Sequence, residues 1–162
     1  MVIWDAKAQQ AVALDYRERA PANVSASDYL DAADSGQPEP ASVRGGKAVG
    51  VPGHVAGLCY AAEKYGTLPL RQLLQPALDL CHSGVEIDQH DIETQAATLR
   101  TIRSHRNYES HFFGLIENYL NHGRAWKIGD RFYSPQLAAL ERIAEKGAAG
   151  FYQGEMAAAI CL

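Results

Sequence analysis

The chain has 162 residues, 47% of them hydrophobic and 21% charged, values that suit one globular domain with a real core. Its formal charge of −4 argues against the electrostatic footprint of a nucleic-acid binder. No apolar run approaches the roughly 18 residues that a membrane-spanning helix needs, and the opening Met1–Asp5 reaches a charge too soon to read as a signal peptide.

Val2–Asp5 and Ala11–Arg17 read as two strands around the polar turn 6–10, with Val12, Leu14 and Tyr16 on one side of the second. A β-hairpin is predicted. Glu18–Pro21 leave the strand, and Ser25 or Ser27 is placed to cap a short helical turn through Leu30. Residues 33–46 hold two Pro, three Gly and two Ser, which is loop composition and the natural place for proteolysis. The apolar run Ala48–Val51 reads as a buried strand, stopped by Pro52 and Gly53.

From His54 to Tyr65 the spacing becomes helical, with Val55, Leu58, Ala62 and Tyr65 on one face. Gly66 sits where a helix end favours positive φ. Thr67 and Pro69 then start a second helix with Leu70, Leu73, Leu74, Ala77, Leu78 and Cys81 on its stripe. Pro76 inside that stripe predicts a kink or two short helices, and Gly84 ends it. Asp88 caps a further helix over about 89–105, whose apolar face is Ile92, Ala96, Leu99 and Ile102. Residues 107–121 are rich in aromatics but carry no assignable period. Lys127–Tyr133 is a turn and a short extended piece. Ser134-Pro135 starts a helix with Leu137, Leu140, Ile143 and Ala144 facing inward, stopped by Gly147, and a last helix begins at Glu155.

Few residues are placed for chemistry. Cys59, Cys81 and Cys161 show no paired spacing, and Cys59 and Cys81 read as buried free thiols. The six histidines show no metal-ligand spacing; His82 with His90-Asp91 comes nearest to a cluster. The glycines between Gly50 and Gly57 lack the Gly-x-Gly-x-x-Gly or Walker pattern of a phosphate cradle. Close packing of a helix against a strand explains them better. Asp15 and Glu18 fall on opposite faces of a continuing strand, which opposes a paired acid–base role. Arg17 is the outstanding candidate. Its fork suits a planar carboxylate through two parallel N–H bonds, or it pairs with Asp15 or Glu18 at the strand end.

Several motifs together carry a resemblance. Ala13–Ala22 reads A-L-D-Y-R-E-R-A-P-A. Gly50–Leu58 reads G-V-P-G-H-V-A-G-L, followed by E-K-Y-G-T-L-P at Glu63–Pro69 and L-L-Q-P-A-L-D-L-C-H-S-G at Leu73–Gly84. The tail G-D-x-F-x-x-P-x-L-A-x-L-x-x-I-A-x-x-G from Gly129 to Gly147, then F-Y-x-G, adds a later block. The chain resembles the large subunit of γ-glutamyltransferases (γ-glutamyl transpeptidases, glutathione hydrolases), most strongly over residues 1–84 and more weakly over 127–160.

That resemblance implies an α+β fold, part of the αββα sandwich of an N-terminal-nucleophile hydrolase. It predicts mostly the helical layer (54–162) plus a β-hairpin, as a single partial domain over 1–162 with a loop at 33–46. It implies that Arg17 holds the α-carboxylate of a γ-glutamyl substrate such as glutathione, with no cofactor and no metal. The family's nucleophile is a threonine freed by self-cleavage, in a T-[ST]-H signature of the small subunit. Thr67, Thr94, Thr98 and Thr101 are not followed by that pattern. The oxyanion-hole glycines also belong to the small subunit. The chain is therefore expected to be a large-subunit piece without catalytic residues, partnered by the small subunit of the same precursor and inactive alone. A periplasmic or extracellular location follows from the resemblance only. His54 stands where the family more often has a small polar residue such as Thr. The rivals are a β-lactam (cephalosporin or glutaryl) acylase fragment, which shares the scaffold, and a non-catalytic helical domain binding a partner through 108–120.

Overall fold

The structure, a computed structural model, describes residues 1–30, 42–43 and 46–161, without the side chain of Leu30. The loop expected over 33–46 lies outside the described residues except for Ser42, Val43 and Gly46. Two compact units are present, 1–67 and 68–162.

The first unit opens with the expected hairpin. Strands β1 (Val2–Asp5) and β2 (Gln10–Ala13) pair antiparallel, Val2 opposite Ala13 and Asp5 opposite Gln10. Asp5 Oδ1 shapes the turn by accepting from the Lys7 and Ala8 amides at 2.9 and 3.1 Å. The ladder's last bond runs from the Leu14 amide to the Met1 carbonyl at 2.9 Å. Residues 14–18 continue without strand pairing, so β2 is shorter than the period suggested. Arg19 then makes a single antiparallel bridge with Val51.

Ala48–Val51 is not a buried strand. Gly46–Ala48 is a 3-10 turn, and Val49 and Val51 are 62% and 49% exposed. Among the described residues the run makes one bridge and joins no sheet that would bury it. Helix α1 (Ser27–Leu30) is tied by Asp28, whose carboxylate accepts from the Ser25 amide at 2.7 Å and hydroxyl at 3.0 Å. Helix α2 (His54–Tyr65) has the predicted bounds. Leu58, on the face predicted to point inward, is exposed, and the buried residue is Gly57. Gly66 has φ −75°, not the positive value expected; a Cβ there would collide with the Ala62 carbonyl oxygen.

The second unit is helical. Helix α3 (Leu70–Ser83) runs unbroken through Pro76. The proline removes the donor for the Gln72 carbonyl, and Gln72 is exposed, so water can replace it. Gly84 ends α3 at φ +72°, a conformation that only glycine adopts without strain. Strands β3 (Val85–Glu86) and β4 (Arg131–Phe132) form a two-residue antiparallel ribbon. Between them lie α4 (Gln89–Arg103), α5 (Tyr108–His111) and α6 (Phe113–Tyr119). The aromatic-rich stretch thus resolves into two short helices. They fold back so that Phe112, Ile116 and Leu120 pack on Leu99 and Ile102 of α4. Helices α7 (Leu137–Lys146), α8 (Ala149–Tyr152) and α9 (Gly154–Cys161) close the chain. Helix α7 packs on α3, and Leu78, Cys81, Ile143 and Ala144 are buried on these two helices.

Candidate substrate-binding site

The candidate site is built on the strip Leu14–Arg19 of the first unit, tied at its ends to Met1 and Val51. Alternation persists along it without a strand partner: Val12, Leu14 and Tyr16 are half-buried, while Ala13, Asp15 and Arg17 are exposed. The strip lies against the first turns of α2. A Cβ on Gly53 would stand 2.5 Å from the Tyr16 carbonyl oxygen and 2.6 Å from that of Arg17. A Cβ on Gly57 would run into Cβ and Cγ of Tyr16, and one on Gly50 would meet the Glu18 side chain at 2.9 Å. Bare backbone at these positions lets strip and helix approach closely, as the sequence suggested. The His54 ring meets the Tyr16 ring edge-on, centroids 5.5 Å apart.

Arg17 stands over a groove of about 520 Å³ whose walls include Leu14, Asp15, Gly53, Ala56 and Gly57. Its side chain is 82% exposed. Its Nη2 donates to Glu18 Oε1 at 2.6 Å and its Nε to Oε2 at 3.2 Å, a two-pronged contact with a carboxylate. Glu18's carboxyl is held below the ordinary glutamate value, first by its own backbone amide and then by the Arg17 guanidinium. Asp15 Oδ1 accepts from the Arg17 backbone amide at 3.2 Å. Asp15 therefore shapes the strip, and Glu18 holds the fork.

The histidines are scattered. His82 lies 3.7 Å from Glu141, and His122 Nδ1 lies 2.7 Å from Glu117. Among the described residues no group of three or more His, Cys, Asp or Glu is placed to hold a metal ion. The cysteines are free. Cys81 is buried and Cys161 exposed; Cys59 is half-buried, and burial, with Glu63 adding to it, pushes its thiol pKa up. One organising residue escaped the sequence reading. Gln95 is buried on α4, its amide donating to the Leu120 and Arg124 carbonyls and its carbonyl accepting from the Trp126 amide, each at 3.0 Å. Its partners lie 25 to 31 residues away, beyond the reach of local pattern.

The family model described as gamma-glutamyltranspeptidase matches residues 1–161. The glutathione hydrolase proenzyme of Pseudomonas sp. (strain A14) is 38% identical over 145 residues, covering 89% of this chain and 24% of that protein. The glutathione hydrolase proenzyme of Escherichia coli K12 is 35% identical over 150 residues, covering 90% of this chain and again 24% of its own length. The chain thus spans about a quarter of the length of these relatives. The crystal structure of Helicobacter pylori gamma-glutamyltranspeptidase superposes with a TM-score of 0.77 at 35% identity, over 99% of this chain and 44% of that one. A cephalosporin acylase from Bacillus halodurans superposes at 0.81 with 24% identity, over 98% of this chain and 29% of that one, which shows the shared fold alone. The expected partial α+β architecture of this hydrolase class, a helical layer with a hairpin, is the one observed. On the family match and these identities, the chain belongs to the γ-glutamyltranspeptidase family.

Proposed function

We propose that these residues form part of the large subunit of a γ-glutamyltransferase. The whole protein would cleave γ-glutamyl amides such as glutathione, pass the acyl group through a threonine ester, and deliver it to water or an amino acid. The nucleophile would come from the small subunit of the same precursor, with the precursor exported to the periplasm or beyond the cell. In this reading Arg17 grips the substrate α-carboxylate. What carries it is the fork already engaged by a carboxylate over an open groove, in a member of this family. A guanidinium offers that planar two-bond geometry and an ammonium does not.

The test is a chromogenic γ-glutamyl anilide assay on the full-length precursor. Arg17→Lys keeps the charge and loses the fork. Losing a hydrogen bond to a charged group costs about 1.5–3 kcal/mol, so KM should rise about 10- to 100-fold with kcat changed far less. An unchanged KM refutes the role given to Arg17. The 162 residues alone should give no turnover, and measurable turnover by them would place a nucleophile within this chain. The acylase reading has fold likeness in its favour but no residue of the groove that selects it. Cell fractionation of the host, with activity found in the cytoplasm only, would remove the proposed location.

A further inference from the structure

We infer that Tyr16 is a positioning residue for the Arg17 fork: its ring, seated on the bare backbone of Gly57, sets where the guanidinium stands over the groove. This rests on the reading of Arg17 given above and adds to it the part that aims the arginine. Tyr16 is half-buried against α2 and Arg17 is 82% exposed, and both border the groove together with Gly53, Ala56 and Gly57, so one short piece of main chain serves both.

That piece has no ladder to hold it. Strand pairing ends at Ala13 and resumes only as the single Arg19–Val51 bridge. Between them, two contacts with α2 set the height of the strip: the Tyr16 and Arg17 carbonyls against Gly53, and the Tyr16 ring against Gly57. Gly53 and Gly57 are four residues apart and lie on one helix face. The ring is held from a second side by the His54 imidazole. Among the described residues the Arg17 side chain is bonded only to Glu18 on the same strip, so a shift of the strip moves the fork and its partner together. Misplacing a binding group by about 1 Å can cost on the order of 100-fold in rate. Tyr16 should therefore influence substrate binding through the place it gives Arg17.

The experiment compares variants of the full-length precursor, each checked for self-processing and thermal stability, in the γ-glutamyl anilide assay. Tyr16→Ala is expected to raise KM about tenfold while kcat stays within about twofold, the signature of lost uniform binding. Tyr16→Phe, which keeps the ring, should restore KM to within about twofold. Gly57→Ala pushes on the ring from the helix side and should reproduce the rise. Inhibition by free glutamate should weaken in parallel, and inhibition by 4-aminobutyrate, which lacks the α-carboxylate, should not. Tyr16→Leu replaces Tyr16→Ala if the latter fails to fold. A folded Ala or Leu variant with unchanged KM overturns the inference. So does a fall in kcat in place of a rise in KM, or loss of folding in every variant, since Tyr16 would then only pack. Arg17→Lys separates the two levels. If it leaves KM unchanged, the arginine reading itself fails; if it raises KM and the Tyr16 variants do not, only the present inference fails.

Discussion

Gln95 shows what one side chain can hold. It is 4% exposed, and both ends of its carboxamide bond to the backbone of the segment 120–126. Gln95→Leu preserves bulk and leaves those backbone groups without their partner. An unmet buried group costs about 1–3 kcal/mol and the part-buried groups of Arg124 and Trp126 cost less, so the variant should lose about 2–4 kcal/mol in urea denaturation followed by tryptophan fluorescence. A loss below about 0.5 kcal/mol would mean that water replaces the amide at no cost. Arg17 and Gln95 mark the two ends of what a sequence discloses. Arg17 stands out because its neighbours Asp15 and Glu18 and the surrounding motif are local. Gln95 reads as one more polar residue on a thin amphipathic helix, because its meaning lies in carbonyls far along the chain.

At the scale of elements, α4 is the best specified. Asp88 accepts from the Asp91 amide at 2.9 Å, and Asp91 Oδ2 accepts from the Asp88 amide at 3.0 Å, a reciprocal capping box. Asp88's carboxyl is held below the ordinary aspartate value, first by the Asp91 amide. A carboxyl that is more acidic folded than unfolded contributes stability above its unfolded pKa and loses it as pH falls through the folded value. The first turn of α4 should therefore fray on acidification below the ordinary aspartate range. Asp88→Asn keeps a capping side chain and removes that titration. NMR of the amides of residues 89–92 should show a titration in the native chain and a flattened one in the variant; identical profiles would dismiss the effect. Caps such as this were legible because their partners are three residues apart. The run Ala48–Val51 was not, since a short apolar stretch looks the same whether or not a sheet exists to cover it. The segment 107–121 hid its helices for another reason: Phe112 faces the core while Phe113 is 63% exposed, so two adjacent aromatics serve opposite faces.

For the whole molecule, burial is uneven. Every apolar side chain that is buried among the described residues belongs to 68–162: Leu78, Cys81, Ile87, Leu99, Ile102, Leu120, Ile143 and Ala144. The first unit buries Gly57, while Val2 and Trp4 of the hairpin are 76% and 60% exposed. A two-stranded hairpin is marginal in water without a covering face. In the isolated 162 residues, amides of α3, α4 and α7 should resist hydrogen exchange by orders of magnitude more than those of β1 and β2. Equal protection would show that the hairpin needs no further cover. The two-residue ribbon of β3 and β4 carries a kinetic consequence. The β1–β2 hairpin closes across residues 6–9, whereas the ribbon closes across 87–130. On a logarithmic loop-entropy scale the longer closure costs roughly 2 kcal/mol more. Two residue pairs cannot repay that from an open chain, so α4, α5 and α6 must first shorten the path between their ends. The ribbon is then a clasp that shuts last, and in pulse-labelled refolding the Ile87 amide, bonded to the Asp130 carbonyl at 2.8 Å, should gain protection after the amides of α4.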